Sequence, residues 1–205
     1  MLRSSVSDLY DRSVDYYGDS IAIKEKGRSF TYRQLGQKAN ALGCGLQALG
    51  TQKNDTVAFL MANCAEYIFC EFALAKIGAI RVPLAVLLSP ADHVYMMNEA
   101  ECTTLIYHSS MRDRVVKMSA QLQTVRHFIC VGDAEALPAG HIRFADLIME
   151  DNKLPTLVAV DPEDLAGINF TGGITGRPKV VMQSHRYCAD TLVMGLLDFG
   201  FGWQE

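Results

Sequence analysis

A strand-like apolar run followed by a helical pattern recurs along this sequence. Residues 56–61 form a continuous apolar run, which is typical of a strand buried on both faces of a sheet. Shorter strand-like runs follow at 79–83, 103–107 and 128–131, and segments with helical spacing separate them. Strand, helix, strand, helix is the order of a mainly parallel sheet with helices on both faces, so the predicted fold class is α/β.

Capping signals predict where the helices between these strands begin and end. Thr31 and Gln34 form a capping box, and apolar residues then recur at helical spacing until Gly50. Asn63 is predicted to begin the next helix and Gly78 to end it. The other predicted elements are helices at 4–17, 110–122 and 143–150, a helix capped by Ser89 with Pro90 at its first position, strands at 21–24, 165–170 and 179–183, and a helix capped by Ser184.

Composition narrows the classes of partner. The net charge is −4 and no run of Lys or Arg occurs, so a nucleic-acid or anionic-membrane partner is not expected. The most apolar stretch, residues 69–88, contains Glu71, Lys76 and Arg81, so no membrane span is expected. The six cysteines are scattered without a C-x-x-C pair, which favours buried free thiols over a zinc site or a disulfide scaffold. We therefore expect a reduced, cytoplasmic, soluble protein.

A loop rich in glycine and threonine follows the strand predicted at 165–170, and residues 170–186 read FTGGITGRPKVVMQSHR. Glycines let successive backbone N–H groups converge on one oxyanion, threonine hydroxyls add donors, and a nearby lysine adds positive charge. An ordinary glycine-rich connection with a solvated lysine is the alternative. A Walker-type loop is excluded, because two residues separate its last glycine from the lysine. The candidate phosphate-binding residues are Thr171, Gly172, Gly173, Thr175, Gly176 and Lys179.

A second glycine pattern, G-x-G-x-x-A over residues 43–48, matches a dinucleotide-binding fingerprint. That fingerprint functions at a turn between a strand and a helix. Here the pattern lies inside the helix that Thr31 begins. We therefore interpret it as helix packing through small residues.

The loop resembles the signature loop of the adenylate-forming enzymes, which include acyl-CoA synthetases, firefly luciferases and nonribosomal adenylation domains. Their pattern is an aromatic residue and then Thr-Ser-Gly-[Ser/Thr]-Thr-Gly-x-Pro-Lys-Gly-Val, often with Ser-His-Arg shortly after. The resemblance extends to residues 29–50, 71–107 and 161–170, and so covers nearly the whole chain. The loop positions that match are Phe170, Thr171, Gly173, Thr175, Gly176, Pro178, Lys179, Val181, Ser184, His185 and Arg186.

The resemblance implies that residues 1–205 form the N-terminal part of an AMP-binding large domain, with its signature phosphate loop at 170–181. In that family a carboxylic acid attacks the α-phosphate of ATP, pyrophosphate leaves, and in the CoA ligases a thiol then displaces AMP, with Mg²⁺ helping. The implied partners of the complete enzyme are ATP, Mg²⁺, CoA and a small-molecule carboxylic acid. His185 is implied near the acyl pocket, and a structural histidine is the alternative. The implied ATP phosphate-binding residues are Thr171, Gly172, Gly173, Ile174, Thr175, Gly176 and Lys179.

Three loop positions depart from the family pattern. Gly172 replaces a serine and keeps only a backbone donor. Ile174 replaces a serine or threonine and puts a stiff apolar side chain where phosphate oxygens would approach. Val180 replaces a glycine, and a valine would be strained there if the position needed an unusual φ, although it suits a strand.

The family motifs that follow the loop are absent from this sequence. These are the adenine-binding Tyr-Gly-x-Thr-Glu, the ribose-binding Thr-Gly-Asp and the C-terminal lysine. We therefore expect a fragment of an ATP-dependent acyl-CoA synthetase that is inactive alone; the alternative is a truncated, non-catalytic homologue retained as a binding or regulatory module. We also expect an uncovered apolar surface near the C-terminal helix, and self-association through it.

Overall fold

The structure is a computed structural model that describes residues 5–133, 136–148, 154–156, 158–172 and 177–199. Its helices are α1 (Val6–Tyr17), α2 (Tyr32–Ala48), α3 (Ala65–Ile77), α4 (Pro90–Glu99), α5 (Arg112–Ser119), α6 (Phe144–Leu147) and α7 (His185–Phe199). Its strands are β1 (Ile21–Glu25), β2 (Arg28–Thr31), β3 (Thr56–Leu60), β4 (Ile80–Pro83), β5 (Thr104–His108), β6 (His127–Val131), β7 (His141–Arg143), β8 (Leu165–Thr171) and β9 (Lys179–Ser184).

Seven of these strands form one sheet in the order β7-β6-β5-β3-β4-β8-β9, and β1 pairs with β2 in a separate antiparallel hairpin. The pairs from β7 to β8 are all parallel, and β9 runs antiparallel to β8. The predicted α/β class with a mainly parallel sheet is confirmed. Because the parallel strands point the same way, their carboxyl ends share one edge, where open α/β sheets bind ligands.

Helices cover both faces of the sheet, as predicted. On one face α2 and α3 pack over β3 in a core that contains Leu42 and Phe59. On the other face α4 and α5 pack over β3 and β5 in a core that contains Leu60 and Met97. Adjacent residues of β3 thus enter opposite cores, and all five of its residues are buried. This double burial explains the uninterrupted apolar run.

The short strands β2 and β7 were not predicted from the sequence. The β2 strand pairs with β1 outside the main sheet, and the three-residue β7 extends the sheet beside β6. Neither strand contains a buried residue. Both therefore lack the apolar run that marks a buried strand in the sequence.

The predicted capping residues are confirmed except at α3. Thr31 and Ser89 each form a capping box, and the Ser184 Oγ accepts a hydrogen bond from the Tyr187 backbone N–H at 3.2 Å. The prediction that Asn63 begins α3 was wrong, because Cys64 is the N-cap and forms no side-chain capping bond. The helix predicted at 110–122 is also shorter, because a 3-10 turn at Ser109–Met111 precedes α5.

The glycine pattern at 43–48 lies inside α2, so the interpretation as helix packing is confirmed. A Cβ on Gly45 would lie 2.7 Å from the Leu147 carbonyl oxygen, and one on Gly43 would lie 3.3 Å from side-chain atoms of Ile77 and Pro155. These glycines therefore allow neighbouring segments, among them the end of α6, to approach the helix closely.

We expect Gly45→Ala to lower the free energy of unfolding by about 1–3 kcal/mol, because the added methyl forces the Leu147 backbone away from α2. Gly195→Ala in α7 is the matched control, since a Cβ there meets nothing within 4 Å. That control is expected to stabilise the protein slightly, by up to ~1 kcal/mol. Urea denaturation of both variants measures the difference, and equal effects would contradict the packing role of Gly45.

The cysteines are free thiols, as predicted. Cys70, Cys102 and Cys130 are buried, whereas Cys44, Cys64 and Cys188 are only half-buried. Within the described residues, no helix combines the length and the apolar character needed to cross a membrane.

Candidate functional site

The β8–β9 hairpin positions the candidate phosphate-binding loop. β8 runs parallel to β4, with Arg81 beside Gly167, so β8 ends at the carboxyl edge of the sheet. β9 returns antiparallel from that edge, and Thr171 pairs directly with Lys179. The last residue of β8 and the first residue of β9 are thus direct cross-strand partners, although they are eight residues apart in the chain.

The described residues at this edge are open to solvent. Thr171, Gly172 and Lys179 are all exposed, and the Thr171 hydroxyl lies 3.5 Å from the Lys179 carbonyl oxygen. A Cβ on Gly172 would meet no atom of the described residues within 4 Å. The remaining predicted phosphate-binding residues, Gly173, Ile174, Thr175 and Gly176, lie outside the described residues.

Val180 is a regular strand residue opposite Phe170. Among the described residues, positive φ angles outside glycine occur only at Asn54 and Glu101. The strain considered for a valine at this position is therefore absent, and the side chain fits the extended backbone of β9.

A polar network that sequence reasoning missed joins the hairpin to the neighbouring strand. The Arg81 guanidinium donates to the Gln183 side-chain oxygen at 3.1 Å, and the Asn169 amide donates to the same oxygen at 2.5 Å. Arg81 also forms an ion pair with Glu71 of α3, at 3.1 Å from its Nε to a carboxylate oxygen. Because Arg81 and Gln183 are 102 residues apart, no local pattern could have indicated this contact.

His185 lies at the opposite edge of the sheet from Thr171 and Lys179. Because β9 runs away from the carboxyl edge, its last residue pairs with Leu165 at the start of β8, and α7 begins there. The His185 backbone N–H donates to the Asp164 carbonyl at 2.9 Å. The side chain is fully buried, and neither ring nitrogen has a hydrogen-bond partner among the described residues. The structure therefore does not bring His185 together with the loop, and its role in an acyl pocket stays a prediction.

Comparison with known proteins identifies the family. A family model described as AMP-binding enzyme matches residues 10–203. The chain belongs to the AMP-binding enzyme family. The predicted resemblance to the N-terminal portion of an acyl-CoA synthetase-like, adenylate-forming enzyme is thereby confirmed.

Two curated relatives of this chain are CoA ligases. The chain is 33% identical over 171 residues to 3-hydroxybenzoate–CoA/4-hydroxybenzoate–CoA ligase of Thauera aromatica, a match that covers 82% of the chain and 32% of the relative. It is 32% identical over 188 residues to crotonobetaine/carnitine–CoA ligase of Escherichia coli, covering 86% of the chain and 36% of the relative. The chain thus spans about a third of the length of these relatives.

Solved structures agree with the family assignment. The anthranilate CoA ligase AuaEII, in complex with anthranoyl-AMP, superimposes with a TM-score of 0.85 at 26% identity, covering 96% of this chain and 38% of that one. A long-chain-fatty-acid–CoA ligase of Archaeoglobus fulgidus gives the same TM-score at 22% identity and supports the fold alone.

The surface of β9 and α7 carries exposed apolar side chains, as predicted near the C-terminal helix. Met182 is 67% exposed and Leu197 is 72% exposed, although both are large apolar residues. Self-association through this surface stays a prediction. Within the described parts of β9 and α7, the exposed aliphatic and methionine side chains are Val180, Val181, Met182, Leu192, Val193, Met194, Leu196 and Leu197.

The buried His185 gives this chain a pH-dependent stability. Burial lowers the pKa of His185; the carboxylates of Asp164 and Asp8 oppose that shift, and the Lys53 ammonium adds to it. A histidine whose pKa is lowered in the folded state binds its proton more readily in the unfolded state. Its contribution to stability is therefore present above the unfolded pKa of about 6.5 and is lost as the pH falls through the folded pKa.

We expect the free energy of unfolding to fall below pH 6.5, with His185 contributing up to about 1.4 kcal/mol per pH unit. Urea denaturation between pH 5 and 8 measures this slope. His185→Gln is expected to flatten it, whereas the matched variant His127→Gln, at a half-exposed position that begins β6, is expected to retain it. An identical slope in His185→Gln and the original protein would contradict the assignment.

Proposed function

We propose that this chain carries the nucleotide-phosphate clamp of an ATP-dependent acyl-CoA synthetase. In the reaction proposed for the complete enzyme, a carboxylic acid is activated as an acyl-adenylate and then transferred to CoA. The observation that carries the proposal is the direct pairing of Thr171 with Lys179 at the carboxyl edge of a parallel sheet. Membership of the AMP-binding enzyme family supports it independently.

The residues at this edge suit a phosphate group. The Lys179 ammonium is exposed and supplies a compact positive charge, and the exposed Thr171 hydroxyl supplies a donor. Gly172 has no side chain, and a Cβ there would meet none of the described residues within 4 Å, so phosphate oxygens would meet no obstacle from them at its backbone. These groups would hold the β- and γ-phosphates of ATP, and would neutralise charge on the departing pyrophosphate.

Mg²⁺ would enter this site with the nucleotide. Among the described residues, no group of three or more His, Cys, Asp or Glu side chains is arranged to hold a metal ion. Mg²⁺ commonly keeps several waters and binds through substrate phosphates rather than in an all-protein cage. When bound, Mg²⁺ would supply positive charge beside Lys179, and the two together would neutralise the phosphates.

The proposed substrate class is a small-molecule carboxylic acid. The relatives are named for ligation of 3- and 4-hydroxybenzoate and of crotonobetaine or carnitine to CoA, and the related structure holds anthranoyl-AMP. Each of these acids presents a carboxylate, the group that attacks the α-phosphate in the proposed reaction. Which acid this protein uses is left to a substrate panel.

We expect the 205-residue chain alone to be inactive in ATP–pyrophosphate exchange, because it spans about a third of its relatives and lacks the adenine and ribose motifs. The assay is run with hydroxybenzoic, aminobenzoic, betaine-type and fatty acids. It is repeated after adding a separately expressed polypeptide that corresponds to the remaining two thirds of a relative. Exchange only in the combined sample, with one class of acid, would support the proposal.

Absence of ATP–pyrophosphate exchange in the combined sample would favour the second candidate function, a non-catalytic binding module. Ile174 is the residue that favours it, because an apolar side chain replaces a hydroxyl donor in the loop. Ile174→Thr separates the two candidates. Exchange that appears only with this variant would show that Ile174 disables the clamp, and the module would replace the synthetase as the proposed function.

A further inference from the structure

Arg177 stacks on an aromatic ring of a different element. Its guanidinium carbon lies 5.0 Å from the centroid of the Tyr95 ring in α4. A cation within about 6 Å of a ring centroid is attracted by the electron-rich face of the ring. No local pattern predicts this contact, because Arg177 occupies the position that the family signature leaves as any residue.

Because Arg177 is close to Lys179 in the chain, its contact with Tyr95 can restrict the position of Lys179. Only Pro178 separates Arg177 from Lys179. The proline ring fixes its own φ and restricts the backbone of the preceding residue to extended conformations. Few backbone rotations therefore remain between Arg177 and Lys179, so holding the guanidinium also limits where the Lys179 ammonium can lie.

Tyr95 is anchored to the body of the domain. It is half-buried against the core that also contains Met96 and Met97, both of which are nearly or fully buried. Ser89 and Asp92 form a capping box one turn before it, so the helix that carries Tyr95 has a well-defined start. A ring held on such an element is a better anchor than one on a loop.

We propose that Arg177 and Tyr95 are positioning residues that hold Lys179 in place for phosphate binding. This inference rests on the proposed phosphate clamp and deepens it. Arg177 acts through Lys179 rather than by touching phosphate. The contact joins the segment just before β9 to α4.

Pyrophosphate and Mg²⁺–ATP titrations of the 205-residue chain by calorimetry test the inference. Tyr95→Leu and Arg177→Gln are each expected to raise Kd about two- to fivefold, the range for an exposed cation–π contact. Tyr95→Phe keeps the ring and is expected to bind like the original protein. The double variant is expected to bind no more weakly than either single variant, because both remove one contact.

A matched control uses a second cation–π pair among the described residues, Arg28 over Phe30, where the distance to the ring centroid is 5.6 Å. Phe30→Leu removes an equivalent contact in β2, outside the main sheet, and is expected to leave Kd unchanged. If Arg177→Gln weakens binding further in the Tyr95→Leu background, Arg177 contacts phosphate directly and the positioning role is wrong.

A measurement without ligand tests the contact itself. In proton NMR spectra, the side-chain δ protons of Arg177 are expected to shift upfield over the Tyr95 ring, to lose that shift in Tyr95→Leu and to keep it in Tyr95→Phe. Absence of the shift overturns the inference. Equal Kd values in all variants also overturn it while the proposed function stands, whereas no phosphate binding by the original protein refutes both.

Discussion

Lys179→Ala is expected to raise the Kd of the chain for pyrophosphate about ten- to a hundredfold. A hydrogen bond to a charged group contributes roughly 1.5–3 kcal/mol, and each 1.4 kcal/mol corresponds to a factor of ten. Lys179 is exposed and pairs with Thr171, so little protein structure depends on its side chain. The substitution should therefore remove binding without unfolding the chain, and calorimetric titration measures the change.

Two controls make this result specific. Lys179→Arg keeps the charge and should recover most of the affinity, although its planar group fits a lysine site imperfectly. Lys26→Ala removes an exposed lysine from the turn between β1 and β2 and should leave Kd unchanged. Affinity should also fall as salt is added, because the site is open to solvent. Unaltered binding in a folded Lys179→Ala protein would show that the lysine is only a solvated surface cation.

The sequence predicts the parallel sheet well, because double burial leaves a direct pattern in the chain. β3 is buried at every residue and appears as an unbroken apolar run. Helix starts that depend on local capping residues are predicted equally well, as at Thr31 and Ser89. In contrast, β2 and β7 become strands through their neighbours, since neither contains a buried residue. Their short, half-exposed sequences carry no period of their own.

Only part of the candidate site could be predicted from the sequence. Its loop could be predicted, because glycine, threonine and lysine are close together in the chain. The contacts that hold the loop could not be predicted, since Arg81 with Gln183 and Arg177 with Tyr95 join residues far apart in the chain. The antiparallel return of β9 was also not inferred, and it separates His185 from the loop by the whole length of a strand. Strand direction depends on pairing, which the sequence of one strand does not specify.

The ion pair between Arg81 and Glu71 is expected to have a large effect on the free energy of unfolding. Arg81→Met is expected to lower the free energy of unfolding by up to about 3 kcal/mol, the lower end for a fully buried pair, because it leaves the half-buried Glu71 carboxylate without its ion-pair partner. The two side chains are only 22% and 15% exposed. Arg81 also lies over Gly167, where a Cβ would come within 3.2 Å of it, and donates to Gln183. Urea denaturation at neutral pH measures the loss.

The pair as a whole is expected to contribute little net stability, although breaking it on one side is costly. Replacing both residues, as Glu71→Leu with Arg81→Met, removes the buried charges together and should recover most of the stability lost in the single variant. Arg33→Met is the matched control, because its pair with Asp19 is 58% and 91% exposed and should contribute at most about 1 kcal/mol. A double variant as unstable as Arg81→Met alone would instead make the ion pair a net source of stability.

The double variant also shows whether the Arg81–Glu71 pair affects only the stability of the fold or also pyrophosphate binding by the hairpin. It keeps Thr171 and Lys179 but removes the charged link between β4 and Gln183 of β9. If that link only stabilises the fold, the folded double variant should bind pyrophosphate with the Kd of the original protein. If the link also sets the register of the hairpin at the carboxyl edge, Kd should rise although stability is restored. We expect unchanged affinity, because six residue pairs between β8 and β9 already fix that register.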